Sequence, residues 1–179
     1  MQTLRIHKAI EFASLKHRSQ TRKGVDVPFI VHPVEVALIL AEYGYGEDLI
    51  IAGLLHDTLE DAGADIDEIR TEFGEHVAFL VTGESEDKTK SWEERKQATI
   101  DELYGCCDEV AVCTLADKLA NVRSLLFDLN RFGESVWTVF NRDKAHQQWY
   151  YTSIAKATQR LSNTKLWCDY SAVLGKLFS

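Results

Sequence analysis

Residues Ile50 to Gly63 read IIAGLLHDTLEDAG, an almost unbroken apolar run that nevertheless carries His56, Asp57, Glu60 and Asp61. A helix that is apolar on every side belongs in the interior of a protein. Ionisable groups taken into an interior have to be neutralised or paired there. A second stretch, DEVAVCTLADKLANVRSLLFDL, repeats the pattern with Asp117 and Lys118 between apolar residues. Any fold open to this chain has to bury two such helices and supply partners for the charge inside them.

The remaining sequence is helical in period almost throughout. Leu4, Ala9, Ile10, Ala13 and Leu15 mark a first helix ending near His17. SQTRKGVDVPFI breaks the pattern with Gly24 and Pro28 and reads as a loop. HPVEVALILAEYG restarts it, with Pro33 in the first turn and Gly44 at the end. EDLIIAGLLHDTLEDAG then reads as one helix stopping at Gly63. DIDEIRTEFG is a short helix capped by Asp65 and closed by Gly74. EHVAFLVTGESE is another helix, running out into the charged loop GESEDKTKS. SWEERKQATIDELY has a serine cap and acids in its first turn. After the second long apolar helix, Gly133 marks a break, and DKAHQQWYYTSIAKATQRL and KLWCDYSAVLGKLF read as two last helices. The expectation is an all-α protein of roughly eight to ten helices, residues 1–179 forming one domain, which suits a chain of this size.

Composition excludes several functions. The net charge of −8 argues against a broad nucleic-acid or membrane surface, which would need a basic face. No stretch approaches a membrane span and the N-terminus lacks a signal-peptide core, so a cytoplasmic protein is expected. Cys106, Cys107, Cys113 and Cys168 form no CxxC pair, and reduced, mostly buried thiols are expected. An anionic substrate remains compatible with this acidity if positive charge is local or a metal supplies it.

The buried charges admit two readings. Each acid could be satisfied separately by an arginine or a helix N-terminus, or several could share one metal ion, which neutralises carboxylates together and accepts neutral imidazole. On one continuous helix, His56 and Glu60 share a face, as do Asp57 and Asp61. His56 and Asp57 diverge by about 100° and reach one ion only if it sits over the seam between them. Further ligands would come from other helices, with His32 beside Pro33 and Asp117 as candidates. That makes a site of two histidines and two aspartates with room for water and substrate.

The stretches KHRSQTRKGVDVPFIVHPVEVALIL, AGLLHDTLEDAG and LADKLANVRSL, in this order, resemble the HD-domain metal-dependent phosphohydrolases. Among these they most resemble the alarmone hydrolases: the hydrolase domains of RelA/SpoT homologues and their stand-alone relatives, which remove the 3′-pyrophosphate of (p)ppGpp. The likeness covers about the first 130 residues. It implies a single HD-domain helical bundle. It implies His32, His56, Asp57 and Asp117 as metal ligands, with Mn2+ as the family's usual ion, although a mixed nitrogen–oxygen site also suits other divalent transition metals. It implies Glu60 and Asp61 as the catalytic acids that handle the attacking water. Arg22 and Lys23 correspond to the basic pair that meets the nucleotide, and Lys118 and Asn121 to substrate contacts after the last ligand. Lys144 is a further basic candidate on a later helix that also carries Trp149, Tyr150 and Tyr151.

Departures from the family pattern fall on substrate contacts. Phe29 stands where the family commonly has tyrosine, and the loop over residues 84–96 differs apart from a possible match of its aspartate-lysine pair with Asp87 and Lys88. The leading expectation is therefore a metal-dependent (p)ppGpp 3′-pyrophosphohydrolase acting on a small nucleotide, without nucleic-acid or membrane partners. The alternatives are an HD phosphatase of another nucleotide, such as NADPH or a deoxynucleotide, and a nucleotide-binding regulator without turnover. Oligomeric state is not encoded in any of these motifs.

Overall fold

Helix α3 (Glu47–Leu55) organises the first half of the chain, because every residue from Leu49 to Leu55 is buried. The computed structural model describes the backbone of residues 3–84 and 86–179, with all their side chains other than those of Thr3 and Asp61. Two compact units divide the chain, Met1–Thr89 and Lys90–Ser179. Among the described residues there is no strand. An isolated antiparallel bridge joins Thr21 to Pro28.

In the first unit, α3 packs against α1 (Thr3–Lys16), α2 (Val31–Glu42) and α6 (Glu75–Thr82). Gly53 makes the approach of α2 possible. A Cβ there would stand 2.7 Å from Leu40 Cδ1 and 3.1 Å from Val36 Cγ1. The acids Glu47 and Asp48 suit the N-terminal end of the α3 dipole. Arg5 of α1 holds both, donating to Glu47 Oε2 at 2.9 Å and Asp48 Oδ1 at 2.8 Å. Its other nitrogen donates to the Phe73 carbonyl at 2.8 Å, at the end of α5 (Ile66–Phe73). As the sequence predicts, Asp65 caps α5, accepting from Asp67 N at 2.9 Å, and Gly74 closes it at φ 95°.

The second unit contains α7 (Trp92–Gly105), α8 (Asp108–Phe132), α9 (Lys144–Ala157) and α10 (Lys165–Leu177). The long α8 lies against α10 and a 3-10 segment, Gly133–Val139, while α7 packs on α9. Ser91 and Glu94 form the reciprocal cap that starts α7. Tyr170 of α10 is fully buried, and its hydroxyl donates to the Tyr151 carbonyl at 2.9 Å. Burial raises the Tyr170 pKa, so this donor stays protonated.

Three expectations need correction. The helix expected to run through to Gly63 breaks after Leu55, and α4 is the separate turn Thr58–Asp61. Thr58 is the local cause: its hydroxyl bonds back to the Leu55 carbonyl at 2.7 Å, and Asp57 adopts φ −89°, ψ −3°. The helix expected over DKAHQQWYYTSIAKATQRL ends at Ala157, and Gln159–Leu161 is a 3-10 turn. The cysteines are free but mostly not interior: Cys113 is buried, Cys106 half-buried, Cys107 and Cys168 exposed.

If α3 is the core of its unit, shaving Ile51, which has no exposed surface, should be costly. Ile51→Ala is expected to lower the unfolding free energy by about 2–5 kcal/mol and Ile51→Val by about 0.5–1.5 kcal/mol, measured by urea titration.

Candidate metal centre

The turn between α3 and α4 carries His56 and Asp57, both with right-handed helical backbone angles, so the two side chains meet over the seam between their directions. His56 Nδ1 lies 2.8 Å from the Gly53 carbonyl. A carbonyl only accepts, so Nδ1 carries the proton and, in the neutral ring, Nε2 presents its lone pair. Nε2 stands 3.0 Å from Asp57 Oδ2. Two lone pairs facing one another at that distance require positive charge between them, a proton or a cation.

His32 faces the same oxygen. It lies in the first turn of α2, where its amide donates to the Phe29 carbonyl at 2.9 Å. Its Nε2 is 3.7 Å from Asp57 Oδ2, and the His32 and His56 rings meet edge to face at 5.1 Å. Both histidines are buried, while Asp57 keeps 20% of its side chain open. One ligand atom from each of His32, His56 and Asp57 lies within 4.8 Å of the others. Two imidazole nitrogens and a carboxylate oxygen suit a divalent transition metal, with positions left for further ligands.

Glu60 follows one turn after Asp57, on α4. Its Oε2 accepts from the Glu86 amide at 3.2 Å and its Oε1 lies 3.4 Å from Lys88 Nζ. The loop after α6 is thus tied to the acid, a connection the sequence motif alone did not supply, since Asp87 and Lys88 could be matched to the family only across a loop. Asp61 ends α4, and its side chain lies outside the described residues. Arg22 and Lys23 sit near the turn of the loop between α1 and α2. This loop is closed by Arg22 N to Val27 O at 2.8 Å and Phe29 N to Gln20 O at 2.9 Å. Lys23 is exposed and Arg22 half-buried.

In the second unit, Asp117 is a buried acid of α8. Its Oδ1 accepts from Asn121 Nδ2 at 2.6 Å and its Oδ2 pairs with Lys118. Lys118 and Lys96 both lie over the Tyr150 ring, at 5.8 and 4.8 Å from its centre. Lys144 pairs with Glu134 at 3.3 Å and lies over Trp137. Tyr150 and Tyr151 are buried, in keeping with a packing role, and Trp149 is 6.0 Å from Trp92.

Residues 9–141 match the family described as HD domain, and the chain belongs to it. Among curated proteins it is similar to guanosine-3′,5′-bis(diphosphate) 3′-pyrophosphohydrolase MESH1 of Danio rerio. That similarity is 36% identity over 145 residues, covering 79% of this chain and 78% of the relative. It is 42% identical over 123 residues to a guanosine-3′,5′-bis(diphosphate) 3′-pyrophosphohydrolase of Aquifex aeolicus, covering 67% of this chain and 18% of that protein. A solved structure from Listeria monocytogenes EGD-e superposes with a TM-score of 0.78 at 36% identity, over 82% of this chain and 98% of the other. A metazoan ortholog of SpoT, described as hydrolysing ppGpp, superposes with a TM-score of 0.80 at 26% identity, over 96% of this chain and 94% of the other.

Asp57 Oδ2 lies within 4 Å of both imidazoles, 3.0 Å from His56 Nε2 and 3.7 Å from His32 Nε2. Asp57→Ala is expected to lose stoichiometric divalent metal, read by elemental analysis after equilibrium dialysis, while helical circular dichroism is retained.

Proposed function

We propose that this protein is a Mn2+-dependent hydrolase that removes the 3′-pyrophosphate of (p)ppGpp. The observation that carries the reading is the meeting of His32, His56 and Asp57 around one carboxylate oxygen, with Glu60 a turn away. The names of the relatives and the intact order of the HD motifs support the substrate. Asp117 is proposed as a fourth ligand because its motif, LADKLANVRSL, matches the family's.

A divalent ion held by these residues supplies Lewis-acid polarisation of a phosphoryl oxygen and eases deprotonation of water. The chain's own residues do the rest. The Gly53 carbonyl fixes the His56 ring so that Nε2 faces Asp57 Oδ2 and would be free to hold a cation there. Glu60, with Asp61, takes the proton of the attacking water, and the Lys88 ammonium beside Glu60 orients that carboxylate. The water oxygen bonds to the phosphorus attached to O3′. The P–O3′ bond breaks, pyrophosphate departs and O3′ takes up a proton. Arg22, Lys23, Lys118, Asn121 and Lys144 are proposed substrate contacts that offset the charge of a polyanion on a chain of net charge −8.

No described helix is long and apolar enough to cross a membrane. A cytoplasmic site of action is part of the proposal, as is the assignment of residues 1–179 to one HD domain.

The test is pyrophosphate release from ppGpp with Mn2+ supplied. Glu60→Gln is expected to keep the metal and lose roughly 100- to 10,000-fold in kcat. Unchanged turnover in both Glu60→Gln and Asp57→Ala would overturn the assignment. NADPH and deoxynucleotides belong in the same panel; hydrolysis of one of these with ppGpp untouched would move the reading to another nucleotide.

A further inference from the structure

His17 ends the first helical segment and enters none of the roles above, yet it is only 2% exposed. Its ring packs at a tilt against Phe29, 4.9 Å between centres. Phe29 meets His32 at 5.9 Å and His32 meets His56 at 5.1 Å, so four rings run in series into the metal centre. His17 Nδ1 lies 2.7 Å from Gln20 Oε1. The amide oxygen accepts, so Nδ1 carries the proton and Nε2 of the neutral ring is a bare lone pair. That nitrogen has no hydrogen-bond partner among the described residues.

We propose that His17 is a positioning residue of the metal centre, whose Nε2 accepts a hydrogen bond from a water at the edge of the His32–His56–Asp57 cluster and so steadies the shell around the cation. The inference rests on the metal-dependent reading of that cluster. Direct ligation is not the role assigned, because among the described residues the mutually close ligand atoms come from His32, His56 and Asp57. A buried acceptor left without a donor is destabilising, and a water supplied by an adjacent polar site relieves it. Burial lowers the His17 pKa despite the hydrogen bond with Gln20 and the opposing pull of Asp57, while His56 and His32 add to the lowering. His17 is thus within electrostatic reach of all three cluster residues, and its burial favours the neutral ring, with Nε2 available as an acceptor. Groups just outside the first ligands that hold them or their waters typically change metal affinity 10–100-fold when removed.

The discriminating pair of variants is His17→Phe, which keeps a ring to pack on Phe29 and removes both nitrogens, and His17→Gln, which restores a polar acceptor. Mn2+ affinity is measured by electron paramagnetic resonance titration, and the metal-free melting temperature is measured alongside. Expected is a Mn2+ affinity roughly tenfold weaker in His17→Phe, largely recovered in His17→Gln, with the metal-free melting temperature of His17→Phe not reduced. Equal affinity in His17→Phe and wild type, or the same loss in both variants, would overturn the inference and leave packing as the role of the ring. Nitrogen-15 spectra of the wild-type histidines need no variant to fold. On adding Zn2+ as a diamagnetic probe, the His17 Nε2 signal should move from that of a bare nitrogen toward that of a hydrogen-bonded one, and an unmoved signal would overturn the role. Wild type that takes up no stoichiometric Mn2+ would instead remove the metal reading itself, and this inference with it.

Discussion

The hydrogen bond from His56 Nδ1 to the Gly53 carbonyl joins the packing of the first unit to its chemistry. Gly53 has no side chain, and that lets α2 lie close enough that a Cβ would collide with Leu40 and crowd Val36. Helix α2 is also the element that carries His32. One residue therefore sets the approach of the helix bearing one imidazole and, through its carbonyl, the tautomer of the other. The carbonyl points the proton of His56 away from Asp57, so the two groups meet lone pair to lone pair. Without a cation that contact is unfavourable, and with one it becomes a ligand pair. The burial of α3 supplies the rigidity needed to hold such an arrangement against its own repulsion.

The charge arrangement follows from the same logic. An acidic chain is a poor receptor for a nucleotide polyphosphate unless the sign of the field is inverted locally. The carboxylates of the first unit do not act alone. Asp57 is set against two imidazoles, Glu60 against Lys88 and a backbone amide, and in the second unit Asp117 against Lys118 and Asn121. Each acid is thus oriented before any ligand arrives, which lowers the reorganisation needed at reaction.

Much of this was legible in the sequence. The apolar period located the main helices, and the caps at Asp65 and Ser91 sit where side-chain chemistry placed them, because helix ends have local causes. The convergence of His32, His56 and Asp57 was legible for a related reason: imidazoles and an acid in apolar surroundings need one another or a shared partner. The break at His56–Asp57 was not legible, because apolar continuity through Leu55 and beyond conceals a single threonine hydroxyl turning back on the helix. The contact of Lys88 with Glu60 was hidden for another reason. Loop residues obey no period, and only the folded chain reveals that the segment after α6 returns to α4. In the sequence His17 reads only as the end of a helix within KHRSQTRKG, because its burial against Phe29 arises from the fold.

Phe29 shows how a departure from a motif can acquire a physical account. Read along the sequence, it is a tyrosine lacking its hydroxyl, and therefore a missing contact to substrate. In the folded chain its ring packs between those of His17 and His32. An apolar face there excludes water from one side of the His17 imidazole and adds to the burial that keeps it uncharged. A phenol at the same place would bring a hydroxyl that needs its own partner and could compete for the water that His17 Nε2 is proposed to hold. The substitution therefore bears on the packing around His17 and His32 as well as on the nucleotide.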